Sequence, residues 1–337
     1  MITKHGAFAL YGSPMRVLLL IILLLPVHLG AVQVLDTPVP MCVAVESNGD
    51  VTITWQQVPD PFGIFDHYNV YSVPSGALLG SVSGVSNTSI TVSPGNAQTA
   101  SYSFQVQAMC DGSGPFDSGL SATITSIWLN VSNPANGTAV LVWNAPFSVP
   151  PAGSNSFYQI YKEFPMGTWN MVGTVPFGTN VFTDTMYTCL DSLTYRVELA
   201  NSSGCVSVSS VDGDVFEDIL PPYVPQIAQV QVDTTTGHAL VTWDVNQAPD
   251  THGYIILQFT PGSGWAVIDT VYGINNTQYT AIANGASSGS ETYAVAAIDD
   301  CLSGNPASYN TSPAGNQHST VYLEGEANIC SRTITLN

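Results

Sequence analysis

The densest group of oxygen ligands in the chain is the acidic run Asp212, Asp214, Glu217 and Asp218. Closely spaced carboxylates of this kind suit calcium, a hard cation that takes roughly six to eight oxygen ligands. The run departs from an EF-hand loop: counted from Asp212, the glycine position holds Glu217 and the closing glutamate position holds Tyr223. It is therefore a calcium candidate set against a plain solvated linker. Other chemistry is poorly provided for. His67, His238, His252 and His318 are scattered, and His5 and His28 fall in an N-terminal leader. No G-x-S-x-G elbow, H-E-x-x-H helix or phosphate-binding glycine loop occurs. Neither an enzyme nor a cofactor is expected. Three tryptophans, Trp128, Trp169 and Trp265, lie outside any repeated position, and an exposed row of them could stack on sugar rings. The competing reading buries them partly against neighbouring strands, with Trp128 at a domain junction.

The elements that must carry these residues are strands. A short, mostly β-branched phrase ending in tryptophan occurs three times, as Val51-Thr-Ile-Thr-Trp55, Ala139-Val-Leu-Val-Trp143 and Ala239-Leu-Val-Thr-Trp243. About 50 residues after each comes a tyrosine that opens another alternating run, at Tyr102, Tyr195 and Tyr293. A repeat of this period signals tandem domains, and no segment after the leader sustains a 3.6-residue apolar period. The expected architecture is all-β: three tandem immunoglobulin-like sandwiches over residues 37–126, 127–219 and 220–324, with Pro221-Pro222 punctuating the last junction. Residues 325–337 read as the start of a truncated fourth repeat. Within it, Arg332-Thr-Ile-Thr-Leu is expected to be an unpaired strand, loosely docked or disordered.

Composition narrows the partners. The 337 residues include 5 basic and 24 acidic side chains, a formal charge of −19, and no basic stripe that could neutralise phosphates. Nucleic acid is excluded as a partner, and an extracellular protein or a glycan is expected instead. Residues 1–31 read as a leader that includes a secretory signal peptide. Arg16 precedes an apolar core of about ten residues, Gly30 and Ala31 are small, and Met1 and Met15 are both candidate starts. The apolar core is shorter than the roughly twenty residues of a membrane span. The competing reading is an uncleaved anchor, and no transmembrane span is expected once the leader is removed. Six cysteines, Cys42, Cys110, Cys189, Cys205, Cys301 and Cys330, suit an oxidising compartment. Sequons stand at Asn87, Asn130, Asn136, Asn201, Asn275 and Asn310.

With a tryptophan ending the second strand and a tyrosine opening the sixth, the stretch from about Val39 to Leu323 resembles fibronectin type III modules. The resemblance implies that Trp55, Trp143 and Trp243 fill the space between two sheets. It also implies that Tyr102, Tyr195 and Tyr293 pack at a corner with their hydroxyls capping backbone. It further places the start of the first strand and the loop after the sixth at one end of a module, which makes Cys42 and Cys110 the disulfide candidate. Phrases such as Tyr195-Arg-Val-Glu-Leu, Ser209-Ser-Val-Asp-Gly-Asp-Val-Phe-Glu-Asp218 and Cys330-Ser-Arg-Thr-Ile-Thr-Leu are similar to surface proteins of gliding Bacteroidetes. Those carry a gliding-motility-associated C-terminal domain, which is absent from these residues. The function so implied is a non-enzymatic, secreted or cell-surface stalk or adhesion protein. The alternative is a polysaccharide-binding accessory region of a secreted enzyme.

Overall fold

The computed structural model describes residues 34–112, 116–150, 157–282, 285–303, 308–328, 330 and 332–336. The leader, with its signal-peptide reading, His5 and His28, lies outside the described residues. Every regular element among those described is a strand, and no helix among them is long and apolar enough to cross a membrane.

The first sandwich contains β1 (Val39–Val45), β2 (Val51–Gln56), β3 (Phe65–Val73), β4 (Leu78–Ser83), β5 (Ser89–Val92), β6 (Ser103–Cys110) and β7 (Ile124–Thr125). In β2 the period of two sends Val51, Ile53 and Trp55 inward. The turn before it is made by Gly49, at φ 87°, and by Asn48, whose side-chain oxygen accepts from Asp50 N at 3.1 Å. The three strands β1-β2-β5 face the four strands β4-β3-β6-β7.

The second sandwich has β8 (Leu129–Ser132), β9 (Thr138–Trp143), β10 (Phe157–Glu163), β11 (Trp169–Pro176), β12 (Val181–Thr185), β13 (Asp191–Ala200), β14 (Val206–Val208) and β15 (Asp212–Phe216). The third has β16 (Ile227–Val232), β17 (Ala239–Trp243), β18 (Thr251–Thr260), β19 (Gly264–Tyr272), β20 (Gln278–Ala281), β21 (Thr292–Ser303), β22 (Ser308–Thr311) and β23 (His318–Ser319). Their inner sheets are β12-β9-β8 and β16-β17-β20; in the facing sheets, β13 carries both β14 and β15, and β21 both β22 and β23. The chain is thus three tandem sandwiches of the fibronectin type III plan, each around its own buried cluster.

Trp55, Trp143 and Trp243 sit in those clusters. Each indole meets a third-strand tyrosine edge to face, Tyr68 at 5.1 Å, Tyr158 at 5.4 Å and Tyr254 at 5.2 Å. The backbone-capping role expected of the sixth-strand tyrosines belongs instead to two of these. Tyr68 accepts from Val58 N and donates to Val85 O at 3.0 Å, and Tyr254 accepts from Asn246 N and donates to Ile274 O at 2.8 Å. Among the described residues Tyr158 has no hydroxyl partner, and burial pushes its phenol up to about 12. Tyr195 and Tyr293 are fully buried but donate to carboxylates, Asp184 at 2.9 Å and Glu291 at 2.7 Å. Tyr102 lies just before β6 and is half-buried. Phe104 fills the interior there.

Asp184 on β12 also pairs with Lys162 on β10 at 2.8 Å, so the contact ties the two sheets of the second sandwich together. Both side chains are largely removed from water, and removing one partner leaves a poorly solvated charge behind. Lys162→Met is expected to cost about 3 kcal/mol, the lower end for buried pairs because some exposure remains. Urea denaturation with an unchanged midpoint would show the pair to be of no consequence.

Two expectations need correction. The C-terminal strand is not unpaired: β24 (Gly325–Asn328) and β25 (Thr333–Leu336) form a hairpin with Gly325 opposite Leu336 and Asn328 opposite Thr333. A short reversal lets the backbone groups be satisfied locally, without a sheet beneath them. The Cys42–Cys110 pairing is also replaced. Cys42 bonds to Cys205 of the second sandwich (Cα–Cα 5.9 Å), and Cys189 bonds to Cys301 of the third (Cα–Cα 4.8 Å). Side-chain alternation explains the first change. Cys110 points into the first core, whereas Cys42 is outside that cluster, on the edge strand whose neighbours Val43 and Val45 point in. Burial, helped by Asp117, raises the Cys110 thiol above its usual range.

That edge strand is not free. β1 pairs in parallel with β14 at Ala44 and Val208, making one eight-stranded sheet from two sandwiches. Val43 N donates to Ser207 Oγ at 3.2 Å, Asn201 Nδ2 to Met41 O at 2.9 Å, and Val211 N to Gln98 Oε1 at 2.9 Å.

Candidate functional site

The acidic run singled out from the sequence is dispersed by β15, which holds Asp212 and Asp214, and by the segment that follows it. Asp212 Oδ2 accepts from Val131 N at 2.7 Å, Asp214 Oδ1 accepts from Val215 N at 2.8 Å, and Glu217 is exposed. Asp218 alone turns inward, with 1% exposure, at the junction of the second and third sandwiches. Its N–H donates to Thr188 O at 2.9 Å and its Oδ1 accepts from Leu220 N at 2.9 Å. Among the described residues no group donates to its buried Oδ2.

Two aspartates of the third sandwich converge on it. Asp299, on β21 and fully buried, accepts from Cys301 N at 2.9 Å and from Asn310 Nδ2 at 2.9 Å. A carboxylate oxygen of Asp299 lies within 4.8 Å of one from Asp218. Asp250, next to the start of β18, has its Oδ1 buried and unpartnered. Burial, and then the Asp250 carboxyl within hydrogen-bonding reach, push Asp218 up to about 7. Asp299 is likewise raised, chiefly by burial.

The Cys189–Cys301 bridge adjoins this cluster, because Cys301 Sγ belongs to the same group of atoms. A cleft of about 470 Å³ opens beside it, lined by Phe164, Tyr187, Thr188, Cys189, Asp250 and Asp300. Asp300 pairs with His252 Nδ1. Asp250 and Asp299 had no signal in the sequence, since residues this far apart share no spacing that marks a common site. Two sequon asparagines are also used structurally: Asn310 donates to Asp299 and Asp218 O, and Asn201 ties β1 to the second sandwich.

The outward faces of the four-stranded sheets differ between sandwiches. In the first the face carries Asn69, Tyr71, Gln105 and Gln107, with Ser81 Oγ donating to Asn69 Oδ1. In the second it carries Arg196 paired with Glu198 at 2.9 Å, and the guanidinium lies 4.5 Å from the Trp169 ring and 5.3 Å from that of Tyr161. Trp169 is therefore covered by a cation on one face. In the third the same face is apolar, with Ile255, Leu257 and Phe259 on β18, Ala294 and Ala296 on β21, and Trp265 and Val267 on β19. Trp265 is 42% exposed and tilts against Phe259 at 5.5 Å. Trp128 is held at the first junction, where its N–H donates to Asn144 Oδ1 at 2.8 Å and Asn144 Nδ2 donates to Ser126 O. Among the described residues no ring contact joins Trp128, Trp169 and Trp265 into a row. A groove of about 550 Å³ at that junction is lined by Met41, Gln56, Phe147, Val149 and Asn201, with no titratable side chain among the described residues on it.

No family model matches the chain, and no curated protein matches it. Among solved structures it is similar to the chicken CNTN1 FN1-FN3 domains, at 15% identity and a TM-score of 0.23, covering 84% of this chain and 98% of that one. It is also similar to the central fibronectin-III array of RIM-binding protein, at 17% identity and a TM-score of 0.22, covering 83% and 97%. An Fn3-like protein from Clostridium thermocellum matches at 19% identity and a TM-score of 0.24, covering 31% of this chain and 97% of that one.

Proposed function

We propose that the chain is a non-enzymatic extracellular array, secreted or displayed at a cell surface, that acts as a stalk and adhesion element. The observation that carries this reading is the covalent coupling of each sandwich to the next, through Cys42–Cys205 and Cys189–Cys301. A spacer that presents a distal surface needs neighbours that hold their mutual orientation, and such bridges persist in an oxidising compartment. The excess of acidic residues keeps copies apart at low salt, an effect that added salt screens. Display by a gliding bacterium is the finer form of this reading, supported by the sequence phrases around Tyr195, Ser209 and Cys330.

The adhesive surface is the outward face of the third sandwich, where Phe259, Trp265 and Val267 stand exposed. Contiguous exposed apolar residues on a sheet mark interaction sites more often than isolated ones do. The second reading, a polysaccharide-binding accessory region, rests on the same Trp265, because an exposed indole can stack on a sugar ring.

A panel of immobilised polysaccharides probed with the intact protein separates the two. The stalk reading expects no retention on any of them and no release of reducing ends. Retention that falls at least about tenfold in Trp265→Ala, the loss of a stacking contact worth roughly 1–2 kcal/mol, while Trp169→Ala is unchanged, would establish the second reading instead. Release of reducing ends would overturn both.

A further inference from the structure

We infer that the junction between the second and third sandwiches holds a divalent cation of the calcium class, ligated by the carboxylates of Asp218 and Asp299 with Asp250 beside them. Asp218 and Asp299 meet where solvent is largely excluded, Asp250 lies beside them, and two oxygens, Asp218 Oδ2 and Asp250 Oδ1, are buried with no hydrogen-bond donor among the described residues. Asp218, with 1% exposure, aims its unsatisfied oxygen into the cluster. An uncompensated buried carboxylate is costly, and in proteins it is paired, protonated or bound to a metal.

No basic side chain is on hand to pair with these groups. Of the described residues, Lys162 is engaged with Asp184 and Arg196 with Glu198, both within the second sandwich, while Arg332 lies in the C-terminal hairpin. His252, on β18, is held by Asp300. Among the described residues no protein cation meets the cluster, so its charge is met from solution, by a cation or by a proton.

The donor set points to a hard cation. All the available atoms are oxygens, because the Cys301 sulfur is committed to the bridge with Cys189. Oxygens up to about 5 Å apart can share one calcium ion at its usual bond lengths of about 2.3–2.6 Å, and the Asp218 and Asp299 oxygens lie within 4.8 Å. Water from the adjoining cleft can complete the shell. Asp218 leaves the second sandwich, while Asp250 and Asp299 belong to the third. One ion there clamps the two bodies beside the disulfide. The inference does not depend on what the array adheres to.

The test uses the intact, oxidised protein stripped with a chelator and titrated with calcium chloride. The expected result is one saturable site per chain and a rise in Tm that magnesium reproduces weakly. Asp218→Asn and Asp299→Asn each weaken binding at least about tenfold, whereas Asp214→Asn on the exposed part of β15 leaves it unchanged. Hydrogen exchange on the wild type localises the site without mutation, through calcium-dependent protection of the Asp218, Leu220 and Cys301 amides. Extracellular calcium modules bind at about 10⁻⁴ to 10⁻³ M, so absence of both heat and Tm shift by about 10 mM overturns the inference. So does binding that survives Asp218→Asn, or an apo protein that Asp218→Asn stabilises while calcium has no effect, which would assign the cluster a shared proton.

Discussion

Replacing both bridges, as Cys42→Ser with Cys205→Ser and Cys189→Ser with Cys301→Ser, is expected to split one cooperative melt into separate transitions. It should also broaden the scattering envelope of the protein. The bridges span 163 and 112 residues of sequence. In the chain-entropy model, loops of this size restrain the unfolded state by at most about 5 kcal/mol each. That ceiling applies to complete unfolding, because each closed loop encloses most of a sandwich core. For a single sandwich melting alone the benefit is smaller, and the larger consequence is orientational. The first junction should resist better than the second. There β1 and β14 continue one sheet across both bodies, and three hydrogen bonds from Val43 N, Asn201 Nδ2 and Val211 N remain after the sulfurs are gone. At the second junction the Asn310 contact to Asp218 O is long, at 3.3 Å, and the members of the acidic cluster repel one another when no cation is bound. Calorimetry and small-angle scattering under reducing and non-reducing conditions read both effects. A reduced protein with the same melt and the same envelope would remove the basis for treating the bridges as clamps.

Trp243→Ala is expected to destabilise the third sandwich by about 3–5 kcal/mol, the usual cost of deleting a buried tryptophan. The indole is enclosed by the third cluster and contacts Tyr254 edge to face. Truncation therefore leaves a cavity and also removes an aromatic pair worth about 0.5–1.5 kcal/mol beyond its area. Because the three clusters share no tryptophan, the cavity should be confined to the third sandwich, and hydrogen-exchange protection should fall more in β16 through β23 than in β2 and β9. Trp128→Ala, at a part-exposed junction position, provides the contrast with an expected cost below about 1 kcal/mol. Equal melts for Trp243→Ala and the wild type would contradict an interior role for the indole.

Much of the fold could be read from local pattern. A strand that buries one face repeats every second residue, so Val51, Ile53 and Trp55 declare their orientation without any knowledge of what covers them. The third-strand partners were less visible. Tyr68, Tyr158 and Tyr254 stand at unequal distances from their tryptophans because the intervening loops differ, and the repeat is obscured although the packing is the same. The hydroxyl partners of Tyr195 and Tyr293 were hidden for a related reason. Asp184 reaches the Tyr195 ring from the neighbouring strand β12, whereas Glu291 stands two residues before Tyr293 and nothing in the repeat marks it as a partner.

The candidate site was legible only in one residue. Asp218 stood in an acidic run, but Asp212 and Asp214 are spent on strand contacts, and the carboxylates that join it arrive from Asp250 and Asp299. Composition and periodicity determined the class of fold, the number of repeats and the tryptophan positions, since each of these follows from the alternation of faces along a single strand. The tertiary structure decided which cysteines pair, how two sheets merge at Ala44 and Val208, and where buried charge collects. Those features arise where rigid bodies dock, and docking is selected by a handful of side chains that leave no period in the chain.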